Sequence, residues 1–181
     1  SLVALSARSN AHFVLQVPTS IGYSDVNEGT APCGGYDITT RSTGVTDWPI
    51  TGGPVQVLST HPEAQWEINA ALLNDTSKLK PMVPMIKQGG LGSICFTSIP
   101  GLQDWVGQDA AFQIVQHAVD GALYQCAAIR FVEGPAATVP GSCKNASGVT
   151  AQFIPGTESA SSSTAASSLP TKAPNASISS T

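Results

Sequence analysis

Two runs of residues do most to limit what this chain can fold into. Phe112-Gln113-Ile114-Val115-Gln116 and Leu123-Tyr124-Gln125-Cys126-Ala127-Ala128-Ile129-Arg130-Phe131 are rich in β-branched and aromatic residues. Between them lies His117-Ala118-Val119-Asp120-Gly121, whose Asp-Gly pair is a strong hairpin signal. The rest of the chain reads in the same way. His12 to Val17 is a strand ended by Pro18, and Val55 to Ser59 is another, following the turn Thr51-Gly52-Gly53-Pro54. In Ala64 to Leu73 the apolar residues Trp66, Ile68, Ala70 and Leu72 recur at period two, the mark of a strand with one buried face. Ser93 to Phe96 begins a further strand. Thr46 to Ile50 leads into a turn, and Lys78 to Gly92 is mostly loop with one short extended piece. No stretch has a convincing helical period. Short strands at turn-rich intervals predict an all-β chain, an antiparallel β-sandwich.

Composition places such a sandwich outside the cell. Charged residues make up only 11% of the 181 residues, about half the usual share, and Ser, Thr, Gly and Pro fill the gap. A net charge of −4 speaks against a nucleic-acid partner, and no apolar run is long enough to span a membrane. The four cysteines, Cys33, Cys95, Cys126 and Cys143, include no C-x-x-C spacing, so two disulfides are expected. Of the three possible connectivities we expect Cys33 with Cys143 and Cys95 with Cys126. The glycines of Cys33-Gly34-Gly35 suggest a tight turn pinned by its disulfide. Asn74, Asn145 and Asn175 each open an N-x-S/T sequon, which also fits secretion.

Residues 1–11 read as the remnant of a signal peptide, with Leu2-Val3-Ala4-Leu5 closing an apolar core and Ser9 and Ala11 at the −3 and −1 positions of a cleavage site. Residues 12–155 form the sandwich domain. Residues 156–181 read as a disordered Ser/Thr/Pro-rich stalk carrying O-glycans, of the kind that precedes a GPI attachment signal. Cleavage after Ala11 would make His12 the first residue. An N-terminal histidine offers its α-amine and ring Nδ1 to one metal ion, and a further imidazole completes a three-nitrogen set suited to Cu(II). His61, just past the end of a strand, is the candidate for that imidazole.

The ordered set His12-Phe13-x-Leu15, Pro32-Cys33-Gly34-Gly35-Tyr36-Asp37, Asp47-Trp48-Pro49-Ile50-x-Gly52-Gly53-Pro54 and Leu123-Tyr124-Gln125-Cys126-Ala127 resembles the fungal copper-binding proteins related to lytic polysaccharide monooxygenases, the copper acquisition factor-like family. The resemblance covers about residues 12–150. It implies an immunoglobulin/fibronectin-like sandwich that binds copper, as Cu(II), through a brace made of the His12 amine, His12 Nδ1 and a His61 ring nitrogen. It also implies a third protein ligand, an aspartate, in a Cys-Ala-Asp-Ile stretch. Here that stretch reads Cys126-Ala127-Ala128-Ile129, and weaker Cu(II) retention is expected. Asp120 is the candidate to stand in, and His117 the other. The plainer readings are a hairpin-turn residue for Asp120 and a solvated loop residue for His117.

The function expected is capture of Cu(II) at the fungal cell surface by a monomeric, GPI-anchored glycoprotein, which passes the ion to an uptake transporter at the plasma membrane. The alternatives are a copper monooxygenase acting on a cell-wall glycan and a structural cell-wall glycoprotein with a degenerate metal site. A glycan-oxidising enzyme needs a flat aromatic platform, yet aromatics are only 6% of the chain. Trp48, Trp66 and Trp105 read as core or loop anchors, with Trp105 the one candidate for exposure. The resemblance likewise implies a binder and not an enzyme.

Overall fold

In the computed structural model, which describes residues 11–157, two β-sheets face each other across one apolar core. The strands in chain order are β1 (Phe13–Val17), β2 (Thr46–Pro49), β3 (Gly53–Ser59), β4 (Glu63–Leu72), β5 (Lys80–Pro81), β6 (Ile86–Gly89), β7 (Gly92–Ile99), β8 (Asp109–Ala118), β9 (Gly121–Val132) and β10 (Thr150–Phe153). One sheet has the order β1-β3-β7. The other has the order β10-β6-β4-β8-β9-β2, with β5 paired to β4. The only helical element among the described residues is a single 3-10 turn, Gln103–Trp105.

Side-chain alternation explains how the layers close. On β4, Trp66, Ile68 and Ala70 are fully buried and meet Phe112 and Ile114 of β8 and Ile129 and Phe131 of β9. Phe13, Val55, Val57 and Ile94 come down from the smaller sheet. Phe13 meets Trp66 edge-to-face, with ring centroids 5.1 Å apart. Each such large side chain gains roughly 1.5–3 kcal/mol from leaving water, so the period-two pattern carries most of the drive to fold.

Four sequence expectations need correction or refinement. Thr46–Pro49 is a strand, and it runs parallel to β9, a departure from a purely antiparallel arrangement. Trp48 explains its placement. Its ring stacks at 4.6 Å on Phe112, its Nε1–H donates to Ile99 O across the core at 3.2 Å, and a Cβ on Gly53 would stand 3.0 Å from that ring. Lys78–Gly92 holds two short strands where one was expected, and β10 was not foreseen. Trp105 is buried, with its ring edge-to-face on Phe131 and Lys80 Nζ 4.9 Å above it. Its neighbours in sequence gave no periodic signal for that burial.

The disulfides are Cys33–Cys126 and Cys95–Cys143, with Cα separations of 5.2 and 5.1 Å, in place of the expected Cys33–Cys143 and Cys95–Cys126. The reason is topological. Cys126 and Cys95 lie on different sheets with the core between them, roughly 10 Å of packing that no disulfide spans. Cys126 and Ala128 occupy the outer face of β9, covered by the loop that carries Ile21 and Cys33. The glycine turn expected after Cys33 is present. Gly34 has φ of 64°, and a Cβ there would stand 2.6 Å from Tyr124 O.

Candidate metal centre

β1 and β3 pair antiparallel with Phe13 opposite Ser59, so His12 and Thr60 meet just beyond the ends of the two strands. Thr60 N donates to His12 O at 3.0 Å, and Thr60 Oγ1 donates to the same oxygen at 2.8 Å while accepting from His12 N at 2.7 Å. His61 is the next residue along. The fold therefore delivers both predicted histidines, His12 and His61, to one end of the smaller sheet.

His61 is 2% exposed, and its backbone is held by neutral groups. Gln88 Nε2 donates to His61 O at 2.8 Å and to Gly90 O at 2.7 Å, while Gln88 Oε1 accepts from Trp66 Nε1 at 2.9 Å. Ser59 Oγ accepts from His61 N at 3.2 Å and from Gln116 Nε2 at 2.7 Å. Gln88 and Gln116 are both fully buried. These bonds hold the His61 backbone in place, with Gln116 Oε1 left as a buried oxygen without a hydrogen-bond partner.

Asp120 belongs to the two-residue turn between β8 and β9, where Ala118 pairs with Gly121 and Gly121 takes φ of 132°. The turn carries the Asp120 carboxylate to His61, with Oδ1 2.7 Å from Nε2. The hairpin-turn reading of Asp120 holds, and the same turn sets its carboxylate against His61. With a hydrogen on Nε2 donated to Asp120, His61 Nδ1 is a lone-pair nitrogen, and it is buried without a hydrogen-bond partner. His61 also lines a cleft of about 630 Å³ with Pro62, Glu63, Gly90, Leu91, Val119 and Ser147.

His12 has a different partner, one that sequence reasoning missed. Its Nδ1 lies 3.0 Å from Oε2 of Glu28, which comes from the loop between β1 and β2 and is 1% exposed. Glu28 Oε1 accepts from Gln125 Nε2 at 2.9 Å and from Phe13 N at 3.3 Å. Gln125, on β9, also donates to Phe13 O at 2.6 Å and accepts from Leu15 N at 3.0 Å, serving the free edge of β1 as a neighbouring strand would. Burial pushes the Glu28 carboxyl above its usual range, against the hydrogen bonds from Gln125, His12 and Phe13. No motif in Val26-Asn27-Glu28-Gly29 announces this residue.

The remaining candidates lie elsewhere. His117 is a β8 residue and not a loop residue, and its Nε2 is 2.7 Å from Glu67 Oε1 in a groove of about 730 Å³ on the outer face of the larger sheet. Ala128 is 3% exposed and packs with Ile21, Cys33 and Cys126. A carboxylate at position 128 would therefore enter that cluster, away from the core-facing Gln125. Asn74 and Asn145 are exposed, and Asn145 Oδ1 accepts from Cys95 N at 2.8 Å. Asn175 lies outside the described residues.

Among the described residues no three His, Cys, Asp or Glu side chains already converge on one point. The donors stand as two His–carboxylate pairs, His12 with Glu28 and His61 with Asp120. Imidazole nitrogens and carboxylate oxygens are ligands that Cu(II) accepts, and the orphaned His61 Nδ1 marks unfilled donor capacity. The residues fit a cupric ion.

Residues 10–148 match the sequence profile described as copper acquisition factor BIM1-like. The chain belongs to this family. A relative in Aspergillus fumigatus, described as an uncharacterized protein, is 31% identical over 161 residues, covering 83% of this chain and 65% of its own length. The lytic polysaccharide monooxygenase-like protein X325 of Yarrowia lipolytica is 29% identical over 168 residues, covering 85% of this chain and 61% of its own length. The chain thus spans under two thirds of either relative.

Proposed function

We propose that this BIM1-like chain is an extracellular protein that captures Cu(II) as cargo through His12 and His61, with Asp120 beside the second histidine. The observation that carries this reading is the buried His61, placed by β3 next to the His12 end of β1, with a carboxylate on one ring nitrogen and nothing on the other. Cleavage after Ala11 would free the His12 amine and complete a three-nitrogen brace. His61 would supply its imidazole from a fixed backbone, and Asp120 would hold the ring and contribute negative charge. Family membership, two disulfides and two exposed sequons support a role at the cell surface, anchored through the segment beyond the domain and handing copper to an uptake protein. The proposal is of a binder and not a glycan-oxidising enzyme. In its support, Trp48, Trp66 and Trp105 are all buried and form no aromatic platform.

The test is Cu(II) titration followed by EPR, on protein shown by mass spectrometry to begin at His12. We expect one equivalent, with nitrogen hyperfine structure that is lost in His61→Ala and in protein carrying one extra N-terminal residue. Failure of the wild-type chain to bind stoichiometric Cu(II) would refute the reading.

A further inference from the structure

Glu28 is a carboxylate the fold buries with no Lys or Arg paired to it among the described residues. It is 1% exposed, and the ion pair formed with it among those residues is to His12. Burying a carboxylate is costly unless a positive charge faces it. Its Oε1 is used by Gln125 Nε2 and Phe13 N, two neutral donors that a glutamine carbonyl would satisfy equally well. Holding β1 in place therefore does not account for the charge. The second oxygen, Oε2, faces His12 Nδ1 at 3.0 Å, the nitrogen that a brace would use. No other hydrogen bond to Oε2 is made among the described residues.

We propose that Glu28 is the resident anion of the metal centre on the His12 side, its Oε2 positioned to meet a divalent cation bound at His12. This role rests on the copper reading above and adds to it a site residue that neither the motifs nor the family resemblance indicates. A cation held at His12 Nδ1 would have Oε2 as its nearest carboxylate oxygen, 3.0 Å from that nitrogen, and the buried charge would gain a counter-charge.

The experiment uses the whole chain beginning at His12, with Cu(II) alone as the probe, comparing wild type with Glu28→Gln. The isostere keeps the acceptor for Phe13 and Gln125, so the fold, followed by circular dichroism, is expected to persist. Cu(II) affinity is expected to fall about 10–100-fold, and the copper hyperfine coupling in the EPR spectrum to change. Equal affinity with an identical spectrum would overturn the role of Glu28 while leaving the brace intact. A wild-type chain that takes up no copper would instead refute the copper reading, and this inference with it. If Glu28→Gln does not fold, Glu28→Asp, which keeps the charge but withdraws it by one methylene, is read in the same way. A shifted spectrum with weaker binding supports the proposal, and an unchanged one overturns it.

Discussion

The two histidines stand at neighbouring strand ends but are held by opposite means. His61 is buried and clamped through its backbone by Gln88, Ser59 and Gln116, whose partners are neutral and fully enclosed. His12 is partly exposed, and its contacts are a threonine hydroxyl and the carboxylate of a loop residue. One ring is enclosed and the other lies partly open to solvent. Disturbing the His61 side should therefore unfold the protein first, and disturbing the His12 side should mainly alter binding.

The largest effect expected is at Gln88. Gln88→Leu strands Trp66 Nε1, His61 O and Gly90 O, and should cost about 3 kcal/mol or more in urea unfolding. Next comes the Cys33→Ala, Cys126→Ala double variant, which frees the loop bearing Glu28. A loss of about 2–4 kcal/mol is expected. Asp120→Asn, which alters the ring partner of His61 and leaves its backbone clamp intact, and Glu28→Gln on the His12 side should separate the two readouts. Asp120 is half-exposed in a turn, so its stability cost should stay within about 0.5 kcal/mol, while calorimetry shows weakened Cu(II) binding. A stability loss in Glu28→Gln as large as that in Gln88→Leu would abolish the contrast drawn here.

The smallest effect is a pH slope in the metal-free protein. Because the folded state raises the Glu28 pKa, folded protein holds this proton to higher pH than unfolded chain does. Unfolding free energy should then fall as pH rises from the ordinary carboxylate range through the raised value. The contribution is present below that window and lost above it. Subtracting the Glu28→Gln curve isolates the slope from oppositely shifted surface acids such as Asp37 and Asp75. A flat difference curve would show that Glu28 is not destabilised by its burial.

The contrast also marks what the sequence could reveal. β1, β3, β4, β8 and β9 are legible because alternation such as Trp66-Ile68-Ala70 follows directly from a two-sided strand with one wet face. His12, His61 and Asp120 are legible because a strand start, a strand end and a turn are all visible locally. β2 is not, since Thr46–Pro49 is strand only by virtue of its parallel partner and the slot that receives Trp48. The disulfides were misread because loop length says nothing about which sheet a cysteine belongs to. Glu28 has no local signature at all. Its place depends on Gln125, almost a hundred residues away, and on the loop being tied down at Cys33.

That tie sets an order of events for the young chain. The segment presenting Glu28 is fastened to β9 through Cys33 and Cys126, so this half of the centre takes its final form only where two thiols can surrender electrons. In a reducing compartment the same polypeptide would keep its loop untethered and the Glu28 carboxylate adrift from His12. On the copper reading proposed above, closure of the Cys33–Cys126 bridge is the step that completes the Glu28 side of the site.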